Sequence, residues 1–447
     1  MFERKIMDTL IRWKQSGICN RKALVIKGLR QIGKTFIVRE FARQHYANEV
    51  YINFKNNNSA KAVFDDDLIV DRLTMDLSAI MPGTQFVPGN TLIIFDEIQE
   101  CANARASIKA FVEDGRYHVI CTGSLLGIRG YNRKKSEGVP TGFERIVHMH
   151  SMDFEEFLWA NGVSPEIIGY LKSCYARREP VREAVHQSLM RYFREYICVG
   201  GLPAVVREFL ETNDIGAVRQ EQLDLIEEYR DDFGKHLDSN ERETTDLTLL
   251  ARINRVFDSI PGQLAKENKK FQYSKLENKG RSETYQAAIQ WLCDAGLAVR
   301  CHNLELPQSP LEGNAIENIF KLYLQDSGLF VAMLEEGSAG DILTGNLGIY
   351  KGAIYENIVA DAFSKMGRPL YYFHKDSGLE IDFVARIDNQ IALIEVKATT
   401  GRTKSADTIV KNPDRYGPTV CIRLGNYNVG EANGRLTLPY YMAFLLK

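Results

Sequence analysis

The sequence contains no C-x-x-C pair, and its eight cysteines are scattered, with no histidines beside them at metal-ligand spacing. That excludes a zinc ribbon or a disulfide scaffold as the organising device, and the thiols read as the reduced cysteines of a cytosolic protein. Long apolar runs are missing too. None approaches the roughly 20 residues that cross a bilayer, and the N-terminus, Met1 to Asp8, has no apolar centre of the signal-peptide kind. A soluble, cytoplasmic chain with no membrane partner is the expectation. Net charge is nearly absent, with 56 Lys and Arg against 58 Asp and Glu. The chain as a whole has no pull towards nucleic acid, so any such binding has to come from local patches.

What is present is length and apolar content: 447 residues, 45% hydrophobic, enough for about three packed domains. The most informative stretch is Gly28-Leu29-Arg30-Gln31-Ile32-Gly33-Lys34-Thr35, which fits G-x-x-x-x-G-K-[ST]. Glycines at both ends let the backbone curl so that successive N–H groups point inward. The helix predicted from Thr35 to Gln44 adds the positive end of its dipole. The apolar run Ala23 to Ile26 enters the loop as a buried strand does, and Phe36 to Phe41 leaves it with helical spacing, which sets the match apart from a chance glycine-rich turn. The expected ligands are ATP and Mg²⁺. Gly28 through Phe36 would line the phosphates, Lys34 would reach the β- and γ-phosphates, and the Thr35 hydroxyl would hold the metal. After a second predicted strand, Glu49 to Phe54, a third begins at Thr91 and ends in Asp96-Glu97. Its four apolar residues bury it and bring Asp96 to its C-terminal edge, where it can serve the Mg²⁺ shell. Glu97 would then orient and deprotonate the attacking water.

These motifs resemble those of a large group of bacterial and archaeal AAA-type ATPases that join such a domain to a C-terminal domain of unknown function. The resemblance rests on GLRQIGKT (28–35), LIIFDEIQE (92–100), CTGSLLG (121–127), FEEF (154–157) and Gly200-Gly201-Leu202-Pro203, and so spans nearly the whole chain. It implies an α/β fold with a P-loop AAA-type core, and a strand inserted between the phosphate-loop strand and the acidic one. That strand is predicted at Tyr117 to Gly123; the polar sensor residue such ATPases carry there is assigned to Ser124, with Thr122 in reserve. Arg145 precedes the predicted strand Ile146 to His150, where these ATPases often aim an arginine at a neighbouring subunit's nucleotide. A surface salt-bridge partner is its other reading, and a homo-oligomer is implied only by the first. The basic segment Arg129 to Lys135 is either a solvated loop or a contact for a polyanion.

From Ser164 to Lys235 the periodicity is helical, interrupted at Gly200-Gly201, and predicts a helical lid. Helices at Leu247 to Leu264, Tyr273 to Leu276 and Ser282 to Ala295 are followed by strands at Leu297 to His302 and Phe320 to Leu324. That order looks like a winged helix. Beside it, Lys266, Lys269, Lys270, Lys275, Lys279 and Arg281 stand against two acids, so duplex phosphate contacts and a protein-binding surface both remain open.

The C-terminal end holds a second constellation. A helix from Gly352 to Phe363 carries Glu356, a strand at Tyr371 to His374 precedes Glu380-Ile-Asp382, and Ala392 to Ile394 leads to Glu395-Val-Lys397. This order resembles the PD-(D/E)xK nuclease core. Asp382 and Glu395 at facing ends of adjacent strands could share a divalent metal, with Glu356 as an outer ligand. Lys397, on the same strand face, would position a water or stabilise the leaving charge. Such folds also serve binding alone.

The expected organisation is therefore an AAA-type ATPase core (1–160), a helical lid (161–240), a winged-helix-like domain (241–345) and a restriction-endonuclease-like α/β domain (346–447). The expected activity is Mg-dependent ATP hydrolysis acting on DNA or a DNA-bound partner. Two alternatives stand beside it: a signalling or defence switch whose terminal domain only binds a protein partner, and an ATP-gated metal-dependent nuclease.

Overall fold

The computed structural model describes residues 2–124, 141–235, 243–278, 280–346, 348–397, 404–417 and 419–446. The basic segment 129–135 and Lys279 lie outside the described residues. Two compact units emerge, one comprising Met1–His150, Phe233–Asp246 and Asp294–Gly296, the other Ser151–Asp232, Leu247–Cys293 and Leu297–Lys447. The segments expected as lid, winged helix and terminal domain thus fall mostly within a single unit. Among the described residues no helix is long and apolar enough to cross a membrane.

The first unit is built on a parallel sheet of β1 (Ala23–Gly28), β2 (Asn48–Asn53), β3 (Thr91–Asp96), β4 (His118–Ser124) and β5 (Glu144–Met149), in the order β2-β3-β4-β1-β5. β1 and β3 are buried at every residue, as strands covered on both faces must be. Val25, Ile93, Phe95 and Cys121 share one core with Leu73 and Leu77 of the helix Val70–Ile80 and with Ile108 and Phe111 of the helix Ala102–Asp114. β4 does lie between β3 and β1, so the acidic strand is one strand removed from the phosphate loop. One boundary differs from expectation. β5 begins at Glu144 because it pairs with β1 from Ala23↔Glu144 onward, so Arg145 lies within the strand, exposed, instead of preceding it.

The second unit contains a mixed eight-stranded sheet. Its strands are β6 (Ala298–Leu304), β7 (Ala315–Leu324), β8 (Leu370–His374), β9 (Glu380–Ile387), β10 (Gln390–Lys397), β11 (Thr419–Gly425), β12 (Gly430–Ala432) and β13 (Arg435–Pro439), ordered β12-β13-β11-β10-β9-β8-β6-β7. This corrects the winged-helix expectation. β6 and β7 do form an antiparallel ribbon, but β6 also pairs in parallel with β8 through Cys301↔Leu370 and Asn303↔Tyr372, which makes the ribbon the edge of the terminal sheet. The second expected helix is only the 3₁₀ turn Tyr273–Lys275.

Gly200-Gly201 marks a tight junction in this unit. The helix Glu183–Val199 stops at Gly200, whose φ of 74° and ψ of −159° lie in a region open essentially to glycine alone. The Asp326 carboxylate caps the helix Ser327–Ala332 through the Gly328 and Leu329 amides. It also accepts from Ser151 Oγ at 2.9 Å and Gly201 N at 3.0 Å. A Cβ at Gly201 would stand 1.9 Å from the Met152 carbonyl oxygen, and one at Gly200 2.1 Å from Asp326 Oδ1. We expect Gly200→Ala to lower unfolding stability by at least the roughly 1 to 3 kcal/mol of backbone strain alone. Chemical denaturation of the full chain checks this, and an unchanged midpoint would contradict it.

Candidate functional site

At the C-terminal edge of the first sheet, the chain curls from β1 into the helix Lys34–His45. Gln31 (φ 62°) and Gly33 (φ 88°) are left-handed, which turns the loop's amides inward. A Cβ at Gly28 would lie 2.4 Å from both Ile32 Cδ1 and the Met149 oxygen, so the first glycine is required by close approach. Arg4, from outside any recognised motif, braces the loop by donating to the Ile32 oxygen at 3.0 Å and to the His150 oxygen at 2.7 Å. Phe36 is exposed at the start of the helix, while Leu29 and Arg30 are half-buried.

Lys34 is buried and donates to the carbonyls of Gly28 (3.2 Å) and Leu29 (2.8 Å). Burial lowers its ammonium to about 8, against the opposing pull of Glu97 and Asp96. Asp96, 4% exposed, is the hub. Its Oδ1 accepts from the hydroxyls of Thr35 (3.0 Å) and Thr122, and its Oδ2 from Tyr51 O–H (2.7 Å) and Asn53 Nδ2 (3.0 Å). Thr122, the reserve sensor, is thus the β4 residue on the carboxylate, whereas Ser124 pairs in register with Gly28. Glu97 follows with φ 53°, a left-handed residue that is not glycine, and its carboxylate is held by Gln99 Nε2. Backbone strain of this kind concentrates where a side chain must be aimed. The glycine cradle, the buried ammonium and the Thr35–Asp96 pair fit Mg-ATP.

Tyr51 and Asn53 were not legible as site residues. Alternation of Val50 and Ile52 with polar neighbours reads as an ordinary half-solvated strand, and only the register Asn53↔Asp96 reveals their place.

The terminal constellation is assembled in the second unit, but with lysines on its acids. Glu356, buried in the helix Lys351–Lys365, is bonded by Lys269, by Lys321 at 3.3 Å and by Tyr323 O–H at 3.0 Å. Lys321, 2% exposed, also pairs with Glu380 at 3.6 Å. β9 carries an extra residue between Ile381 and Val384 opposite β8, a bulge that re-aims the backbone at Asp382. Asp382 Oδ2 accepts from Val396 N at 2.8 Å, and Lys397 Nζ meets Glu395 Oε2 at 2.5 Å. Burial opposes the charge on Glu356, but Lys321 and Lys269 hold it well below the usual carboxylate range. Burial, and then Glu356 itself, push Asp382 upward. Of the two acids expected to share a metal, Asp382 is bonded by a backbone amide and Glu395 by a lysine. Among the described residues no grouping of three or more His, Cys, Asp or Glu is arranged to hold a metal ion, and ammonium groups stand against Glu356 and Glu395. Neither Lys269 nor Lys321 carried a sequence signal for this role; one lay in a basic stretch, the other in an apolar strand. Both also line a cleft of about 860 Å³ shared with Lys270, Tyr372, Lys375 and Glu380.

The loop, the acidic strand end and the strand inserted between them all lie within the part of the first unit that is similar to an AAA domain. Residues 20–158 match the family model described as AAA domain, while residues 190–339 and 351–441 match two models described as domains of unknown function, DUF8612 and DUF4143. No curated protein matches the chain. Among solved structures, a Walker-type ATPase of Pyrococcus abyssi is 13% identical with a TM-score of 0.41, covering 74% of this chain and 96% of its own. The ORC2 protein of Aeropyrum pernix is 14% identical at 0.36, covering 77% and 94%. The RuvB Holliday junction branch migration motor of Thermotoga maritima is 12% identical at 0.29, covering 67% and 90%.

Two outcomes follow from the charges. Lys34 must be protonated to hold phosphate, and its pKa of about 8 in the free protein lies below the ordinary 10.5, so nucleotide binding takes up a proton above that pH. Nucleotide affinity should therefore be flat below pH 8 and fall by up to about tenfold per unit above it, while Lys34→Met abolishes binding; fluorescence titration across pH 6.5 to 9.5, a range of about three units, reads both. In the second unit, Lys321→Met leaves Glu356 short of a cation and should cost roughly 3 to 5 kcal/mol. Adding Glu356→Gln should recover most of that, as urea denaturation would show.

Proposed function

We propose that the chain hydrolyses ATP at the first unit and acts on DNA or on a DNA-bound partner. The observation that carries the ATP reading is the 3.0 Å hydrogen bond from Thr35 to Asp96 beside the buried Lys34. Bound Mg²⁺ would supply charge neutralisation at the β- and γ-phosphates. The chain's own residues do the rest. Loop amides and Lys34 orient the triphosphate, Thr35 and Asp96 hold the metal shell, and Glu97 accepts a proton from the attacking water. Ser124 or Thr122 reports on the γ-phosphate side, and the exposed Arg145 is available to a neighbouring copy.

Exposed Lys266, Lys270, Lys275 and Arg281 support the DNA reading, since clustered cations release counterions on meeting phosphates. For the terminal domain, the lysines on Glu356 and Glu395 favour binding over cutting. That supports the competing reading as well: a nucleotide switch whose terminal domain holds a partner. Hydrolysis rates with and without duplex DNA separate the two, with stimulation expected and indifference favouring the switch.

Glu97→Gln should bind ATP as wild type does and lose about 100-fold or more in turnover; phosphate release within a few-fold of wild type would remove Glu97 from the base role. Neutralising Lys270, Lys275 and Arg281 together should lower the slope of log affinity against log salt by about 0.9 for each phosphate that is no longer neutralised. An unchanged slope would assign these residues to plain surface charge.

A further inference from the structure

We propose that Tyr51 and Asn53 are positioning residues that pin one oxygen of Asp96 so that the other is kept for Thr35 and the metal shell. This rests on the ATP reading of the site. Both residues sit at the C-terminal end of β2, on the face opposite Val50 and Ile52, and Asn53 is in register with Asp96 on β3. Their donors converge on Oδ2, at 2.7 Å from the phenol and 3.0 Å from the amide, whereas the two threonine hydroxyls converge on Oδ1.

Each donor is itself fixed. The Asn53 Oδ1 accepts from the amides of Lys55 (3.0 Å) and Asn56 (3.2 Å) in the turn after β2, so only one orientation of the side chain satisfies the turn and Asp96 together. The Tyr51 phenol also accepts from Asn53 Nδ2 at 3.3 Å, which leaves its own proton for Asp96. Its ring lies under the Arg39 guanidinium, 4.7 Å from the ring centroid, and Glu49 holds that guanidinium at 2.6 Å. Rotation of the Asp96 carboxylate would break both bonds to Oδ2 at once. Its Oδ1 edge therefore stays directed at Thr35, whose hydroxyl can keep its proton on Asp96 while its lone pairs face a cation.

A group that orients a metal-shell carboxylate typically changes metal affinity by about 10- to 100-fold. Tyr51→Phe keeps the ring under Arg39 and removes only the O–H; Asn53→Ala removes the second donor. The measurement is Mn²⁺ binding by electron paramagnetic resonance in the presence of ADP, alongside ADP affinity in EDTA and the thermal midpoint. We expect Mn²⁺ to bind roughly tenfold more weakly to Tyr51→Phe, with metal-free ADP affinity unchanged and the midpoint lowered only by the loss of one hydrogen bond. Asn53→Ala should act in the same direction, and the double variant by less than the product, because both donors serve one oxygen. Unchanged Mn²⁺ affinity in both variants overturns the proposal. So does an equal loss of ADP affinity in EDTA, which is the mark of a merely structural role. Absence of ADP-dependent Mn²⁺ binding in wild type would instead overturn the ATP reading beneath it.

Discussion

Everything in the first unit depends on one buried carboxylate and the donors it collects. In a parallel sheet all C-terminal strand ends emerge on one edge, and Asp96 at the end of β3 is tied there to β2 through Tyr51 and Asn53, to β4 through Thr122 and to the helix after β1 through Thr35. A hydrogen bond to an ionised group contributes about 1.5 to 3 kcal/mol, so four of them offset the desolvation of a single carboxylate without any cation bonded to it. The relative heights of the strand ends are thereby fixed by polar contacts on top of the apolar core. A shift of β2 along β3 would strand Oδ2.

The second unit handles buried charge differently. Glu356 has two lysines and a phenol, and its carboxyl is held low despite burial. Asp361, in the same helix, has Lys365 at 2.8 Å, but that ammonium also serves the Met152 oxygen and the Tyr196 hydroxyl. Its Oδ1 has no hydrogen-bond partner, and burial pushes the acid up. One cation shared three ways does not compensate a carboxylate taken out of water; two cations and a neutral donor do. These clusters stabilise little in net terms, yet removing either partner alone is expensive. They specify which packing of helix and sheet is allowed more than how stable it is.

What could be read from the sequence was what is local along the chain. Gly28 to Thr35, the apolar approach to Asp96 and the strand from Tyr117 are contiguous patterns, and each forms where its pattern put it, whereas the place of that last strand between the other two was implied only by the family resemblance. The parts that were not legible all depend on pairing between distant residues. A β6–β7 hairpin has the same alternation and turn residues whether it stands free as a wing or is capped by β8, and the bonds from Cys301 to Leu370 leave no trace in either segment. Lys269 reads as one more cation in a basic run, since nothing near it in sequence announces Glu356, 87 positions away. The bulge at Asp382 depends likewise on β8, which supplies one residue where β9 supplies two.

The two carboxylate sites hold similar ingredients and differ in the charge of the donors. At Asp96 every bonded donor is neutral, three hydroxyls and an amide, so the negative charge survives and can attract a dication. Lys34, the nearby ammonium, is instead bonded to the loop carbonyls. At Glu356 two of the three bonded donors are ammonium groups, and at Glu395 the partner is the Lys397 ammonium. A Coulomb interaction of about 4 kcal/mol per close pair at an effective dielectric of 20 has to be given up before a dication can replace a lysine, and the displaced ammonium must then find water or an anion. Lys269 and Lys321 also line the cleft beside this cluster, so the same ammonium groups that hold Glu356 border open solvent space.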